Sequence, residues 1–261
     1  MIVMERFIEL CAEKLEQAER LRTPVSPLSK DYPALTVDDA YAVQAVNVSR
    51  LLSHGAKITG KKIGLTSPGM QQLLGVNEPD YGHLFSFMEC KYNVPSKELI
   101  QPKIEAEIAF VLKEDLPDRE VTLEDVKNAT AYVVAAFEIV DSRVADWKIK
   151  LVDTIADNAS SARYVLGDIR LPIDEVNLSA VTMKMEKDGE GLVSEGSGAA
   201  VMGDPAVAVA WLANCMRRYG APLKKGEILL SGAFCAALPA QKGDAFKATF
   251  SQLGTVTARF V

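Results

Sequence analysis

Alternating acidic and apolar residues in one strand-like stretch carry the clearest chemical signal in this chain. Glu105 and Glu107 are separated by single apolar residues in the run Ile-Glu-Ala-Glu-Ile-Ala-Phe, which begins at Ile104. Successive side chains of a β-strand point to opposite faces, so these two carboxylates are predicted to share one face. A third acid, Glu138, lies in the nearly continuous apolar run 133–140, which is typical of a strand covered on both faces.

Three carboxylates in apolar surroundings would be costly to keep ionised unless a cation neutralised them. Oxygen ligands of this kind suit a hard divalent cation, with water completing its coordination. We therefore predict that Glu105, Glu107 and Glu138 bind Mg²⁺ or Mn²⁺. The alternation at Glu105 and Glu107 also fits a strand with one solvated face, so both interpretations stay open for these two residues.

Lysine is the second chemically suggestive residue type. Lys62 lies in a short apolar segment bounded by Gly60 and Gly64. If its side chain faces the acidic cluster, it would have a paired environment and could serve as a general acid or base, because the pKa of a buried lysine is easily shifted. The neighbouring Lys61 is expected to be solvated.

Two loop-like segments add candidates. Asp80 stands in the turn-like segment 79–83, where an aspartate commonly caps a turn, although from a loop it could also activate water. Ser160 lies in the segment 153–161, which is rich in small polar residues. Such a segment fits a plain loop, and its hydroxyl and backbone donors would also suit a carboxylate ligand.

Composition narrows the class of protein. The 261 residues are 48% hydrophobic and 25% charged, with a net charge of −6 and no charged block, which is ordinary globular composition and argues against a nucleic-acid or anionic-membrane partner. The four cysteines are widely spaced and form no C-x-x-C pair, so neither a zinc site nor a disulfide framework is indicated. The amino-terminal residues lack the pattern of a signal peptide, and a cytoplasmic location is expected.

The elements that must position these residues fall into two groups. Apolar periodicity predicts a helix over 5–22, and Thr36 caps a second helix that runs to about Ser53. From residue 61 onward short strand-like runs dominate, with one late helix that Asp204 caps and Gly220 ends. The strands are predicted over residues 62–65, 105–112, 132–140, 161–166, 181–187, 227–231, 245–250 and 256–260. We predict an α+β fold, with a helical portion 1–60 and a β-rich metal-binding domain 61–261 that form one cooperative unit.

Six segments together resemble the 2-oxopent-4-enoate (2-hydroxypenta-2,4-dienoate) hydratases of aromatic meta-cleavage pathways. These enzymes belong to the hydratase/decarboxylase branch of the fumarylacetoacetate-hydrolase-like superfamily, and the similarity covers nearly the whole chain. The segments are Lys-Ile-Gly-Leu-Thr-Ser at 62–67, Gly-Val-Asn-Glu-Pro-Asp-Tyr-Gly at 75–82, Ile-Glu-Ala-Glu at 104–107, Phe-Glu-Ile-Val-Asp-Ser-Arg at 137–143, Asp-Trp-Lys-Ile-Lys at 146–150 and Ala-Asp-Asn-Ala-Ser at 156–160.

The resemblance implies a mixed β-roll or barrel core and a divalent metal held by the three glutamates. It further implies a substrate that chelates the metal through its 1-carboxylate and 2-oxo oxygens, with Lys62 as acid/base, Asp80 handling the added water and Ser160 contacting the substrate. The implied activity is hydration of 2-hydroxypenta-2,4-dienoate to 4-hydroxy-2-oxopentanoate. A homo-oligomer is expected from the resemblance and from the apolar C-terminal strand, and a complex with a sister enzyme is possible.

Three alternatives remain. The sister activity, 4-oxalocrotonate (2-oxohex-3-enedioate) decarboxylase, has an apolar residue in place of Asp80, but the segment Ser160-Ser-Ala-Arg163 resembles the decarboxylase pattern. A non-catalytic partner subunit would need neither Lys62 nor Asp80. Hydrolysis of an acylpyruvate would need a His/Glu pair, and His54 and His83 lie in no such motif.

Overall fold

Seven α-helices and thirteen strands are the main elements of the described chain, and short 3-10 turns connect some of them. The structure is a computed structural model that describes residues 2–261, apart from the side chains of residues 2–4, 70, 73 and 74. The helices are α1 (Ile2–Leu21), α2 (Leu28–Asp31), α3 (Val37–Ser53), α4 (Pro68–Leu74), α5 (Leu123–Ala129), α6 (Leu151–Ala156) and α7 (Pro205–Arg218). The strands are β1 (Ile58–Gly64), β2 (Asp80–Phe85), β3 (Glu89–Cys90), β4 (Asn93–Val94), β5 (Pro102–Leu112), β6 (Thr130–Asp141), β7 (Ser161–Leu171), β8 (Thr182–Lys187), β9 (Gly191–Ser197), β10 (Ile228–Ala233), β11 (Leu238–Pro239), β12 (Ala245–Phe250) and β13 (Gly254–Phe260).

The strands form two mixed sheets. The larger has eight strands in the order β2-β1-β10-β5-β6-β7-β3, with β11 also paired to β5. The smaller has five, in the order β4-β13-β12-β8-β9. Most neighbours are antiparallel, whereas β1 runs parallel to β10, β3 to β7, and β13 to β4. This arrangement confirms the predicted α+β fold with a mixed β core.

The two long central strands, β5 and β6, are covered on both faces. On one face of β5, Ile104, Ala106, Ile108 and Phe110 join the main core together with the smaller sheet. On the other face, Ala109 joins a second apolar cluster with residues of β2, β6 and α3. Glu105 and Glu107 lie on the same face of β5 as Ala109. This face is therefore acidic near the start of the strand and apolar further along it.

The helical N-terminal portion packs over the sheet edge that β2 forms. Thr36 and Asp39 make the predicted capping box of α3, in which each side chain accepts a hydrogen bond from the other residue's backbone N–H. The buried Gln44 of α3 donates from Nε2 to the carbonyl oxygens of Tyr81 (3.0 Å) and Ile155 (2.9 Å), which ties α3 to β2 and α6. The division of the chain at residue 60 stays a prediction.

Local sequence signals located most of the main elements. Helices α1, α3 and α7 lie where the sequence places them, and Asp204 caps α7 by accepting a hydrogen bond from the backbone N–H of Ala206 at 2.8 Å. Asp188-Gly189 lies in the turn between β8 and β9, which pair antiparallel. The prediction of a turn over 79–83 was wrong, because Asp80 begins β2, which pairs antiparallel with β1.

Two further expectations need correction. Lys61 is buried rather than solvated, and its Nζ lies 2.6 Å from Glu227 Oε1. The apolar residues of the C-terminal strand β13 are covered within the chain: Val256, Ala258 and Phe260 are buried, and the strand pairs with β12 along its length and with β4 at its last two residues. The support that this strand lent to an oligomer therefore falls away.

One described segment, Gly198–Arg218, is long and apolar enough to cross a membrane by length and composition alone. Its apolar window is 44% buried inside the structure. Most of the segment is α7, whose Val209 and Leu212 belong to the main core. These contacts are typical of a core helix.

The buried Lys61–Glu227 pair yields a test of the fold. Replacing Glu227 by Gln leaves the Lys61 ammonium buried without its counter-charge, and we expect the free energy of unfolding to fall by about 3 kcal/mol. Urea denaturation measures the change. As a matched control, Glu195→Gln breaks the exposed Lys184–Glu195 pair and should cost less than about 1 kcal/mol. Equal losses in both variants would contradict the structural role of Lys61.

Candidate active site

Pairing of β5 with β6 brings the three predicted metal ligands together. Glu105 and Glu107 share a face of β5, and Glu138 stands directly opposite Glu105 in the β5–β6 register. Carboxylate oxygens of the three residues all lie within 4.8 Å of one another. Glu107 and Glu138 are buried, whereas Glu105 is partly exposed to a cavity.

The electrostatics of this cluster fit a cation. Burial and repulsion from neighbouring carboxylates raise the pKa of Glu105 to about 7 and raise that of Glu107 as well. Burial also raises the pKa of Glu138, although Lys62 opposes the shift. Glu107 Oε2 accepts a hydrogen bond from the Gly232 backbone N–H at 2.8 Å. Both oxygens of Glu138 are buried, and no hydrogen-bond donor in the described part of the chain is aligned with either. Oxygen-only donors with unsatisfied lone pairs are what a hard divalent cation requires.

Lys62 provides the positive charge beside the cluster. It is buried on β1, and its Nζ lies 3.3 Å from Glu138 Oε1, within ion-pair distance. Burial alone would lower the pKa of Lys62, but Glu138 and the other carboxylates outweigh that effect, and the net shift is upward. Strand β10 separates β1 from β5, and its pairing with β5 is interrupted between Leu230 and Ala233, alongside the acidic cluster.

Asp80 lies on the same side of the sheet, at the first position of β2. Its Oδ2 accepts a hydrogen bond from Thr154 Oγ1 at 3.2 Å. Burial raises the pKa of Asp80, and the nearby Lys62 partly opposes that shift. Asp80 pairs with Gly64 across β1 and β2. A Cβ at position 64 would stand 2.2 Å from Asp80 Oδ1, so only glycine leaves room for this carboxylate.

These side chains line one cavity of about 490 Å³. Its charged end holds Lys62, Asp80, Glu105 and Glu107, and the remaining wall is largely apolar. The other lining residues include Ile63, Leu65, Thr66, Lys103, Val140, Trp147, Ile149, Thr154, Ala159, Ser160, Ala200 and the run from Ala233 to Ala237. The buried Ser160 hydroxyl lines this cavity and has no hydrogen-bond partner in the described structure.

The structure therefore brings all six predicted site residues into one place. Sequence reasoning did not name Thr154, Lys103 or Trp147 as site residues, although Trp147 lies in the family segment 146–150. Lys103 Nζ lies 4.2 Å from the centroid of the Trp147 indole ring. A usable signal existed for Lys103, since it lies two residues before Glu105 and so shares the face of the glutamates. Thr154 carried no distinguishing pattern.

Comparison with known proteins agrees with this geometry. The profile of the fumarylacetoacetate (FAA) hydrolase C-terminal family matches residues 88–261. A 2-keto-4-pentenoate hydratase of Paraburkholderia xenovorans strain LB400 is 47% identical over 255 residues, which cover 97% of this chain and 94% of that protein. The chain belongs to the fumarylacetoacetate hydrolase family.

Two other members place the chain in the hydratase/decarboxylase branch of this family. The 2-hydroxyhexa-2,4-dienoate hydratase of Comamonas testosteroni is 42% identical, with 98% of each chain covered. Among solved structures, 4-oxalocrotonate decarboxylase from Pseudomonas putida G7, complexed with magnesium and adipate, superposes with a TM-score of 0.94 at 37% identity, again over 98% of each chain. The branch recognised from the sequence motifs is thereby confirmed.

The raised carboxyl pKa values predict a pH-dependent response to metal. A folded-state pKa of about 7 for Glu105 means that this group stabilises the metal-free fold at low pH, and that the contribution is lost as the pH rises through about 7. Metal binding requires deprotonated ligands. We therefore expect Mg²⁺ to raise the thermal midpoint more at about pH 8 than at about pH 6.

Differential scanning fluorimetry with and without EDTA measures this difference. The variant Glu105→Gln has no carboxyl group to titrate at this position, and its response to Mg²⁺ should be small at both pH values. A rise of the wild-type midpoint that is equal at the two pH values would contradict the assignment of a proton-competing carboxylate site.

Proposed function

We propose that the protein is a metal-dependent hydratase that adds water to 2-hydroxypenta-2,4-dienoate and forms 4-hydroxy-2-oxopentanoate. One observation carries the proposal: a single cavity joins a three-carboxylate cluster to a buried lysine and a buried aspartate. The names of the relatives, among them a 2-keto-4-pentenoate hydratase at 47% identity, support the same reaction.

Glu105, Glu107 and Glu138 would hold the divalent cation, and we propose Mg²⁺ or Mn²⁺ because all three donors are carboxylate oxygens. When bound, the cation supplies Lewis-acid charge at the C2 oxygen of the substrate and fixes the 2-oxo acid. The magnesium in the P. putida decarboxylase structure supports this choice of ion.

Lys62 moves the proton in the first step. The dienol loses its enol proton and gains a proton at C5, which yields a conjugated 2-oxo-3-enoate. An ammonium group held in the charged state by Glu138 stabilises negative charge that develops on the substrate and exchanges protons with it. Ser160, with its free hydroxyl in the cavity, donates a hydrogen bond to the substrate.

Asp80 acts in the second step, when the oxygen of water bonds to C4 and a proton is added at C3. Thr154 orients the carboxylate by donating to Oδ2, which leaves the other oxygen to orient water and take its proton. Burial raises the pKa of Asp80 and so makes it a better base than a solvated aspartate.

Decarboxylation of 2-oxohex-3-enedioate is the second candidate. The TM-score of 0.94 with the P. putida decarboxylase and the Ser-Ser-Ala-Arg sequence at 160–163 favour it. Asp80 favours hydration, since loss of CO₂ needs no residue that handles added water. The assay below separates the two reactions.

A homo-oligomer and a cytoplasmic location also belong to this proposal. The homo-oligomer is expected from the resemblance to the hydratases, and the cytoplasmic location is an expectation from the sequence. Static light scattering of the purified chain tests the first, and a monomer at micromolar concentration would contradict it.

The proposal predicts which substrate turns over. Purified protein with Mg²⁺ should consume 2-hydroxypenta-2,4-dienoate, seen as loss of dienol absorbance, and release little CO₂ from 2-oxohex-3-enedioate. EDTA should abolish turnover, and added Mg²⁺ or Mn²⁺ should restore it. Full activity in a metal-free preparation, or faster CO₂ release than hydration, would overturn the assignment.

Two variants are expected to separate the two steps. Asp80→Asn should slow hydration by about 10²-fold or more but leave ketonisation of the dienol largely intact, because only hydration needs an activated water. Lys62→Ala should slow both steps, since it removes the proton carrier and a positive charge. Absorbance changes and product analysis by NMR distinguish the steps. Hydration at the wild-type rate by Asp80→Asn would disprove the role of Asp80.

A further inference from the structure

The segment that carries Ser160 has an unusual backbone. Asn158, Ala159 and Ser160 are consecutive non-glycine residues with φ values of 53°, 51° and 54°. Left-handed conformations cost free energy for residues with a Cβ, so a run of three persists only where surrounding contacts impose it. The turn is short and lies between α6 and β7, so the contacts that hold it can be identified.

We propose that Arg143 and Asp157 are positioning residues that hold this left-handed turn and thereby aim the Ser160 hydroxyl at the substrate. The inference rests on the proposed function in that it takes Ser160 as a substrate contact. Neither Arg143 nor Asp157 lines the cavity among the described residues, so any effect of theirs on the reaction must pass through other groups.

Arg143 donates hydrogen bonds to both ends of the turn. Its Nε donates to Asp157 Oδ1 at 2.5 Å, and its backbone N–H donates to Asp157 Oδ2 at 2.9 Å. The two terminal nitrogens of the guanidinium continue to the backbone: Nη2 donates to the Asp157 carbonyl at 2.6 Å and Nη1 to the Ser161 carbonyl at 3.1 Å. These carbonyls flank residues 158–160. The planar guanidinium therefore fixes the distance between the two ends of the turn.

A second anchor attaches the turn to the strand that carries Asp80. Asn158 Oδ1 accepts a hydrogen bond from the His83 backbone N–H at 2.7 Å, and Asn158 Nδ2 donates to the His83 carbonyl at 2.9 Å. Gly82 permits the close approach, since a Cβ there would stand 2.2 Å from the Asn158 carbonyl oxygen. Ser160 and Asp80 are thus positioned relative to the same strand, β2.

The unpaired hydroxyl of Ser160 indicates that the strained backbone positions a ligand-binding group. The hydroxyl is buried, lines the cavity and has no hydrogen-bond partner in the described structure. A buried polar group without a partner destabilises a fold, and the residues around it are held in an unfavourable backbone conformation. Both costs are explained if the hydroxyl donates a hydrogen bond to a bound 2-oxo acid. The four hydrogen bonds from Arg143 hold the turn that carries this hydroxyl.

A double-mutant cycle tests the proposal. We would compare Arg143→Lys and Asp157→Asn alone with the same changes in a Ser160→Ala background, measuring kcat and KM for the dienoate and, by calorimetry with Mg²⁺, the Kd of oxalate, a non-reacting mimic of the chelating end. Each single variant should lower kcat/KM and oxalate affinity by about 10-fold or more. Without the Ser160 hydroxyl, the same changes should cost less than about 2-fold.

Controls separate positioning from folding. Asp125→Asn breaks the Arg119–Asp125 pair away from the cavity, and its effect should be small and equal in both backgrounds. Asp157→Glu keeps the carboxylate that faces Arg143 but displaces it by one methylene, and it replaces the Arg143→Lys and Asp157→Asn variants in the cycle if thermal scans show that those unfold.

Equal penalties in the presence and absence of the hydroxyl would overturn the proposal, as would a Ser160→Ala variant with wild-type oxalate affinity. If the wild type binds oxalate but does not hydrate the dienoate, the proposed reaction fails, and the oxalate cycle still decides the role of Arg143 and Asp157.

Discussion

Burial of like charges is the constraint on which this structure depends. Three carboxylates from the central strands β5 and β6 lie close together. The ammonium group of Lys62 lies within ion-pair distance of one of them, Glu138. Such a cluster is stable only if the surrounding backbone supplies donors and leaves room for a counter-ion. The interrupted pairing of β10 with β5 leaves this room, and the Gly232 backbone N–H donates a hydrogen bond to Glu107.

Backbone strain is concentrated around the same cavity. Leu65, Trp147, Ala159 and Ser160 all have positive φ, and all four line it. Asp146 and Asn158 adjoin two of these residues in the chain, and Met202 donates its backbone N–H to the Thr66 carbonyl at 3.1 Å. Conformations of this kind persist where the rest of the fold over-determines them, and they commonly accompany functional sites. The buried core between the two sheets provides that support.

The close superposition on a decarboxylase shows how little of the architecture selects a reaction. Hydration and decarboxylation both place charge on the C2 oxygen of a 2-oxo acid, so a metal-binding carboxylate cluster beside a lysine suits either reaction. Under the proposed function, selection between them depends on a few other groups in the cavity, such as Asp80 with Thr154. The fold alone therefore does not assign the reaction.

The sequence by itself determined what depends on neighbouring residues. Strand alternation placed Glu105 and Glu107 on one face, the apolar run identified the strand of Glu138, and the caps at Thr36 and Asp204 located two helices, because these patterns act over a few residues. Family motifs extended that reach to Lys62, Asp80 and Ser160, which the structure brings into one cavity.

Only the tertiary structure decided which distant residues became partners. It made β2 a strand by pairing it with β1, buried Lys61 against Glu227, and joined Arg143 to Asp157. In each case the partner lies 14 or more residues away in the chain, as in the Arg143–Asp157 pair. Such a contact stabilises the protein only once the tertiary structure has brought the two residues together. A local pattern such as Pro-Asp-Tyr-Gly favours a turn until a neighbouring strand satisfies its backbone hydrogen bonds.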